Sequence, residues 1–481
     1  MKVLLVTPPY HAGVVEVAGR WVPLYMVYLA GALRAAGHEP IIYDAMTKFV
    51  EYEDIEAKIK EVKPDALCTS AITCTSPDAI EVMELAKRID SDIITICGGV
   101  HASFMYEEMF SLTDAMDYVV IGEGEETIKE LADSLAAGRE PENVAGLAYR
   151  KDGKTVVTPK REFCKDLNNM PTAFDLLEWE DYTYFIIPGS RLGAIATSRG
   201  CDKDCTFCSQ QKFWEQTWRA RNPEDLLREI EEQHTKYGVD IILITDEYPT
   251  PDQKRWESFL DLIIEKAMPV QFLMETRVED IIRDRDILWK YRKAGIIHIY
   301  VGIESIEDTD LESLKKGITS EQAKLALKLM KEAGIITETS MILGFPDDTE
   351  ESIKKTIATI KDYDPDFAHF LAIAPWPYSD LYKELEPYVV VKDYKKYNLV
   401  DPIIKPKNMT LEEIDMQIIN GYKDFYMNKF IQMGESDDEF RKKYLMRAMK
   451  RMMSDSFIKK KLGMLNEMPE EIRKIMESKI D

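Results

Sequence analysis

The sequence predicts an α/β protein in three successive regions: a doubly wound parallel sheet, a partial (β/α)6 barrel of the TIM type, and a helical C-terminal region. Three observations carry this. Over residues 1–140, short apolar runs alternate with segments of helical period, the order that builds a parallel sheet. After an irregular stretch, 141–190, the alternation restarts and runs through about six units to residue 385, which suits a partial barrel better than a second open sheet. From 386 to 481 it stops, and helices rich in Met, Lys and Glu follow. A chain of 481 residues is too long for one core, and at roughly 100–200 residues per domain it holds about three.

The first region reads element by element. MKVLLVTPP is an apolar strand ending in prolines, and PLYMVYLAGALRAAGHE has helical spacing and stops at Gly37. PIIYDA, DALCTSAI and DIITICGGVHAS are strands, separated by the amphipathic YEDIEAKIKEVKP and by SPDAIEVMELAKRID with its capping signature. DYVVIGEGEETIKELADSLAAG is strand, glycine loop and helix. Ligands of such sheets bind beyond the carboxyl ends of the strands. Those ends carry Pro8, Pro9, Ser70, Gly98, Gly99, His101, Gly122 and Gly124, and glycine there lets backbone approach a large flat ligand. GLAYRKDGKTVVTP reads as a hairpin turning at Asp152-Gly153, inside a stretch otherwise expected to be a linker.

In the second region RLGAIATSRGC is a strand running into a cysteine loop. NPEDLLREIEEQHTKYG is a helix with Asn222 at its N-cap and Pro223 in its first turn. DIILITDE, VQFLMETR, HIYVGIES, ITETSMILGFP and FAHFLAIAPWP are further strands. Barrel chemistry gathers at the carboxyl ends of the strands, and the cysteine loop falls at one of them.

Composition narrows the function classes. Asp plus Glu number 86 against 62 Lys plus Arg, a formal charge of −24, which argues against nucleic acid as a partner. No apolar run reaches the 18 or so residues of a membrane span, so no membrane partner is expected. The first residues read as a strand rather than a signal peptide, and seven cysteines, an odd number, fit a reducing compartment. A cytoplasmic location is expected.

Cys201, Cys205 and Cys208 form a C-x3-C-x2-C loop among polar residues, where buried structural thiols are not expected. A structural zinc site would need a fourth ligand, for which His101 is one distant candidate. Three thiolates on a four-iron four-sulfur cluster would instead leave one iron open to a small molecule.

With Phe207 before the last cysteine, and with the loop after the first strand of a (β/α)6 pattern, the region resembles the radical S-adenosylmethionine superfamily. The resemblance implies a 4Fe-4S cluster on Cys201, Cys205 and Cys208, whose open iron chelates S-adenosylmethionine. It also implies an electron donor such as ferredoxin or flavodoxin. It places Asp246 and Glu247 near the methionine amino group, and Glu275, Arg277, Glu304, Ser305 and Ser340 among candidates for ribose and carboxylate contacts. Each of these also reads as a barrel-mouth salt bridge. Gly344-Phe345-Pro346 resembles the turn closing an adenine pocket.

The first region resembles the cobalamin-binding domains fused to such barrels. The matching pieces are TPP, the helix from Pro23, CGGVHAS and VVIGEGEET, and the resemblance implies Tyr10, Ser70, Thr73, Glu123 and Glu125 among the cofactor contacts. The D-x-H-x-x-G motif that supplies a cobalt-ligating histidine is missing, and YDAMTKF follows the second strand instead. No axial ligand is named. His101 reads either as a ligand or as a hydrogen-bonding loop residue.

The combined resemblance implies C-methylation of an unactivated sp3 carbon by a class B methyltransferase. One S-adenosylmethionine would supply the methyl group through cobalamin, and another the hydrogen-abstracting radical. The stretch from Ile373 to Ile404, with MTLEEIDMQIINGYKDFYM, also resembles the anaerobic magnesium-protoporphyrin monomethyl ester oxidative cyclases, which act on a porphyrin-like substrate. Methylating relatives include the glutamine C-methyltransferase of methyl-coenzyme M reductase, so the methyl acceptor is expected to be a peptide, a protein or a small molecule. A non-catalytic cobalamin or iron–sulfur carrier is the alternative of another class. The C-terminal region either closes over substrate or caps the barrel.

Overall fold

β1 (Lys2–Val6) shows why the first sheet has helices on both faces. Val3 and Leu5 enter one core with Met26, Ala30 and Leu33 of the helix Leu24–Ala35 and Leu131 of Glu125–Ala136. Leu4 and Val6 enter another with Ile55 and Ile59 of Tyr52–Val62 and with Val82 and Leu85 of Ser76–Ile89. A strand apolar in both directions belongs in the middle of a parallel sheet, and burial of each such side chain contributes about 1.5–3 kcal/mol. β1 lies between β2 (Glu39–Tyr43) and β3 (Ala66–Ser70), followed by β4 (Ile94–Gly98) and β5 (Tyr118–Val120), all parallel.

The computed structural model describes residues 1–11, 18–434 and 437–455. The chain divides into two units. The first is Met1–His11, Val22–Asp181 and Asp393–Lys395. Of the described residues, the second takes 18–21, 182–392, 396–434 and 437–455.

The stretch expected as a linker, 141–190, is largely part of the first unit. β6 (Leu147–Lys151) and β7 (Lys154–Val157) turn at Asp152-Gly153, both with positive φ, and extend the sheet antiparallel from β5. Leu147 and Tyr149 join its core, and Phe174 and Trp179 are buried as well. The three-residue β5 would otherwise be a short, open edge.

In the second unit β8 (Leu192–Ile195) begins a six-stranded sheet. β9 (Ser198–Gly200) and β10 (Trp218–Ala220) form a separate antiparallel ribbon around the cysteine loop. The sheet continues through β11 (Ile241–Ile244), β12 (Gln271–Thr276), β13 (Ile296–Glu304), β14 (Ile336–Leu343) and β15 (Phe367–Ala372), all parallel and in chain order. That is the strand order expected of the partial (β/α)6 barrel.

The C-terminal helices are not a separate domain. Leu411–Gly434 sets Tyr422 and Phe425 against Phe370 of β15, with ring centroids 5.5 and 6.1 Å apart. Glu439–Asp455 sends Tyr444 to His298 Nδ1 at 2.8 Å and pairs Arg441 with the buried Asp366. The remainder of the expected helical region, 456–481, lies outside the described residues. Among the described residues no helix is long and apolar enough to cross a membrane.

Candidate active site

The cysteine loop is pinned from both sides. Thr206 N donates to Leu314 O at 3.1 Å, and Leu381 N donates to Thr206 O at 3.0 Å. Cys208 N donates to Cys205 O at 3.2 Å, turning the loop so that the three thiols lie within electrostatic reach of one another. Burial pushes the Cys208 thiol up to about 12 and raises that of Cys201. Two cations oppose this: Arg277, with Nη1 3.8 Å from Cys205 Sγ, and Lys316. Three thiols grouped on one loop fit a cluster, in which each binds its own iron. The Phe207 ring sits 5.7 Å from Lys316 Nζ.

Beside the loop, the inner wall of the barrel is rich in carboxylates. Glu275 is solvent-accessible yet enclosed by protein on its sides, so it lines a concavity. That enclosure, with Glu247, Asp246 and Glu304 nearby, pushes its carboxyl up to about 8 against the pull of Lys316. Such a group fits a cationic ligand, and S-adenosylmethionine carries a sulfonium and an ammonium. Glu304, 6% exposed, pairs with Lys316 at 2.8 Å and accepts from Ser340 Oγ at 3.3 Å. A Cβ on Gly302 would lie 2.1 Å from Glu304 Oε1, so only glycine lets the pair close over the strand. Ser340 also meets Tyr300 OH at 2.5 Å.

Three of the expected contacts also have partners within the protein. Asp246 is 1% exposed and accepts from Thr197 N and Oγ1, both at 2.6 Å, and from Ser198 Oγ; it ties β11 to β9. Ser305 Oγ donates to Asp310 Oδ2 at 2.8 Å and accepts from Glu307 N, fixing a turn. Glu247 accepts from Trp214 Nε1 at 3.1 Å. The Gly344–Phe345 turn is held by both amides donating to Asp348 Oδ2, at 2.8 and 3.0 Å.

The carboxyl ends of the first sheet form a second site. Gly99 has φ +91°, and a Cβ there would lie 2.6 Å from Ser70 Oγ and 2.7 Å from Ala71 O. This bare backbone turn opens directly into the helix Gly99–Leu112. Ser103 Oγ accepts from Gly122 N, and Glu123 accepts from Cys164 N at 2.7 Å. Gly124 precedes Glu125 at the start of Glu125–Ala136. Tyr10, just past Pro8 and Pro9, donates to Lys395 O at 3.0 Å. Large side chains at this end stay exposed, among them Tyr25, Phe49 and Ile72, as an apolar macrocycle would require. His101 is 1% exposed, with Nδ1 3.2 Å from Thr73 Oγ1 and its ring against Tyr394. Burial lowers it to about 4, so the imidazole is neutral and enclosed in the first turn of its helix.

Sequence reasoning missed Lys316, Tyr300 and a partly buried trio. In that trio Glu338 lies between His298 Nε2, at 2.9 Å, and His369 Nε2. Burial would raise this carboxyl, but the two imidazoles hold it well below the usual range. A signal existed: His298 and Tyr300 are a polar pair spaced by two in an otherwise largely apolar strand, and Glu338 is a charged residue inside another.

Residues 10–132 match the family model for the B12 binding domain, and residues 195–360 match that for the radical SAM superfamily. An anaerobic magnesium-protoporphyrin IX monomethyl ester cyclase of Rubrivivax gelatinosus is 38% identical over 96% of this chain and 84% of its own. An uncharacterised methyltransferase of Pyrococcus horikoshii is 32% identical over 89% and 93%. Among solved structures, the radical S-adenosylmethionine methyltransferase TsrM of Kitasatospora setae, with cobalamin and [4Fe-4S] cluster bound, aligns with TM-score 0.67 at 17% identity, covering 89% of this chain and 88% of its own. The cobalamin-dependent enzyme OxsB aligns with TM-score 0.70 at 16% identity over 98% and 75%. Both share the fold. With three thiols grouped on one loop, a carboxylate wall beside them and a bare glycine turn at the ends of the other sheet, the chain belongs to the cobalamin-binding radical S-adenosylmethionine enzymes, which carry a 4Fe-4S cluster, S-adenosylmethionine and cobalamin.

Proposed function

We propose that the protein performs a radical-initiated oxidation, of the cyclase or hydroxylase type, on a porphyrin-like substrate. The observation that carries this is the 38% identity to a magnesium-protoporphyrin monomethyl ester cyclase over nearly the whole chain, C-terminal segment included. The barrel wall supports it. Oxidising a carbon radical passes one electron to an acceptor, a role the oxidised cluster or cob(III)alamin would fill, and sheds a proton, whereas handing it a methyl group does not; Glu275, near the carboxyl end of β12, is a titratable group on that wall.

The bound cluster and S-adenosylmethionine supply a radical that takes a hydrogen atom from an unactivated carbon. Cys201, Cys205 and Cys208 would hold the cluster, with Arg277 and Lys316 offsetting the charge of buried thiolates. Glu275 and Glu247 would take the cationic end of S-adenosylmethionine, with Glu304 and Ser340 orienting it. Pro8, Pro9, Ser70, Thr73, Gly98, Gly99 and the Gly122–Glu125 loop would cradle cobalamin. An electron donor such as ferredoxin or flavodoxin is required.

Methyl transfer is the second reading, favoured by the likeness to the Pyrococcus methyltransferase over 93% of that protein. Anaerobic incubation with reductant, cobalamin, methyl-labelled S-adenosylmethionine and a panel of porphyrins and peptides separates the two. Oxidation gives 5′-deoxyadenosine and an oxidised porphyrin without S-adenosylhomocysteine. Methyl transfer gives both nucleosides and a labelled acceptor.

A further inference from the structure

The inner face of the barrel strands is not filled as a closed barrel interior is, with packed branched side chains. Along β14, Thr337, Thr339, Met341 and Leu343 are buried, whereas Glu338 and Ile342 between them are partly accessible. Along β15, Phe370 and Ala372 are buried, and His369 and Leu371 are partly accessible. Phe370 packs on Tyr422 of the C-terminal helix, so His369 and Leu371, its neighbours along the strand, take the opposite, inner face. In the register of the two strands Ser340 lies beside His369, and Ile342 beside Leu371. An apolar pair therefore stands one step nearer the carboxyl ends than a titratable ring.

The two imidazoles on Glu338 are not equivalent. His298 Nε2 lies 2.9 Å from the carboxylate, and His369 meets it through its own Nε2. The second nitrogen of His298 shares a hydrogen with Tyr444 OH at 2.8 Å, and Tyr444 bonds Tyr184 in turn. The second nitrogen of His369, Nδ1, is buried and has no hydrogen-bond partner among the described residues. A carboxylate that takes the N–H of one ring nitrogen leaves the other with a free lone pair, which is the arrangement of an oriented base. Glu338 is held as a carboxylate by the two imidazoles. The geometry thus gives His369 the open nitrogen and His298 an anchored one.

We propose that His369 is the base of the oxidation, that Glu338 and His298 position it, and that Ile342 and Leu371 seat the reacting apolar side chain of the substrate beside it. The inference rests on the oxidative reading above. The carbon radical gives one electron to the oxidised cluster or cob(III)alamin and becomes a cation. Water adds to that carbon: a C–O bond forms, one O–H bond of the water breaks, and its proton moves to His369 Nδ1. Glu338, at the other ring nitrogen, offsets the charge of the imidazolium. Methyl transfer to the same radical releases no proton and would leave His369 without a task.

The test has two arms. In the first, nitrogen-15 magnetic resonance reads the six histidines of the full-length protein at neutral pH without substrate, with His369 assigned through its backbone. His369 is expected to carry a proton on Nε2 and none on Nδ1. A ring protonated on Nδ1, alone or as well as on Nε2, overturns the proposal. In the second, the porphyrin that the wild type oxidises is given anaerobically to His369→Gln. Oxidised product is expected to fall about 100-fold while 5′-deoxyadenosine still forms, and added imidazole to restore part of the product in His369→Ala. An unchanged ratio of product to 5′-deoxyadenosine in His369→Gln overturns the proposal and leaves the oxidative reading standing. A wild type that yields only methylated product overturns both. If His369→Gln does not fold, the wild-type spectrum decides alone.

Discussion

Glu304 holds its carboxylate on a backbone turned to φ +74°, the left-handed region, which costs a non-glycine residue about 1–3 kcal/mol. The conformation persists because Lys316 and Ser340 pin the two oxygens and the strand bulges between Gly302 and Glu304. Removing one partner strands a buried charge. Glu304→Ala is expected to destabilise the protein by about 3–5 kcal/mol in urea unfolding, and Glu304→Ala with Lys316→Met to recover most of that. Glu275 gives a pH signature. Its folded-state carboxyl sits near about 8, above the ordinary carboxylate value, so the folded protein retains a proton that the unfolded chain has released. Its contribution to stability is full below the ordinary carboxylate value, falls as pH rises from there to about 8, and is flat beyond. The difference between wild type and Glu275→Gln in urea midpoint against pH is expected to trace that slope. The cysteines were legible because their chemistry lies in one loop. The Glu304–Lys316 pair was not, because its members are joined only by the turn and helix between them.

At the scale of elements, junctions matter more than strands. The turn from β4 into Gly99–Leu112 works only with a residue that accepts φ +91° and has no Cβ against Ser70 and Ala71. Gly99→Ala is expected to cost about 1–3 kcal/mol in denaturant unfolding and to lower the cobalamin retained after gel filtration. Strand and helix order in both sheets could be read from apolar periodicity, because the central strands, such as β1 and β8, are buried on both faces. The Leu147–Val157 hairpin was foreseen, but not its attachment. Nothing in the polar run around it announces that β5 needs a second neighbour, and pairing between strands is a property of the sheet rather than of either segment.

For the whole molecule, the helices after residue 410 complete the barrel unit. Phe370 faces Tyr422 and Phe425, and Tyr444 reaches His298. A chain ending at residue 410 is expected to bare that apolar face, to bind a hydrophobic dye strongly and to aggregate on gel filtration, where the full chain does not. The sequence presented these helices as a separate region because their Met- and Lys-rich composition differs from the barrel's. Composition reports solvent exposure along a helix, not which sheet it covers.

Asp393–Lys395 belongs to the first unit although 211 residues separate it from that unit's preceding segment, which ends at Asp181. Tyr394 reaches Glu108 at 3.1 Å and packs on His101, and Lys395 pairs with Asp78 at 2.8 Å. During synthesis at about 5–20 residues per second, those contacts arrive roughly 10–40 s after the rest of the unit has emerged. The N-terminal unit therefore leaves the ribosome unfinished, and its last contacts are made only after the barrel strands have been translated. The order of manufacture ties the maturation of one half to the existence of the other.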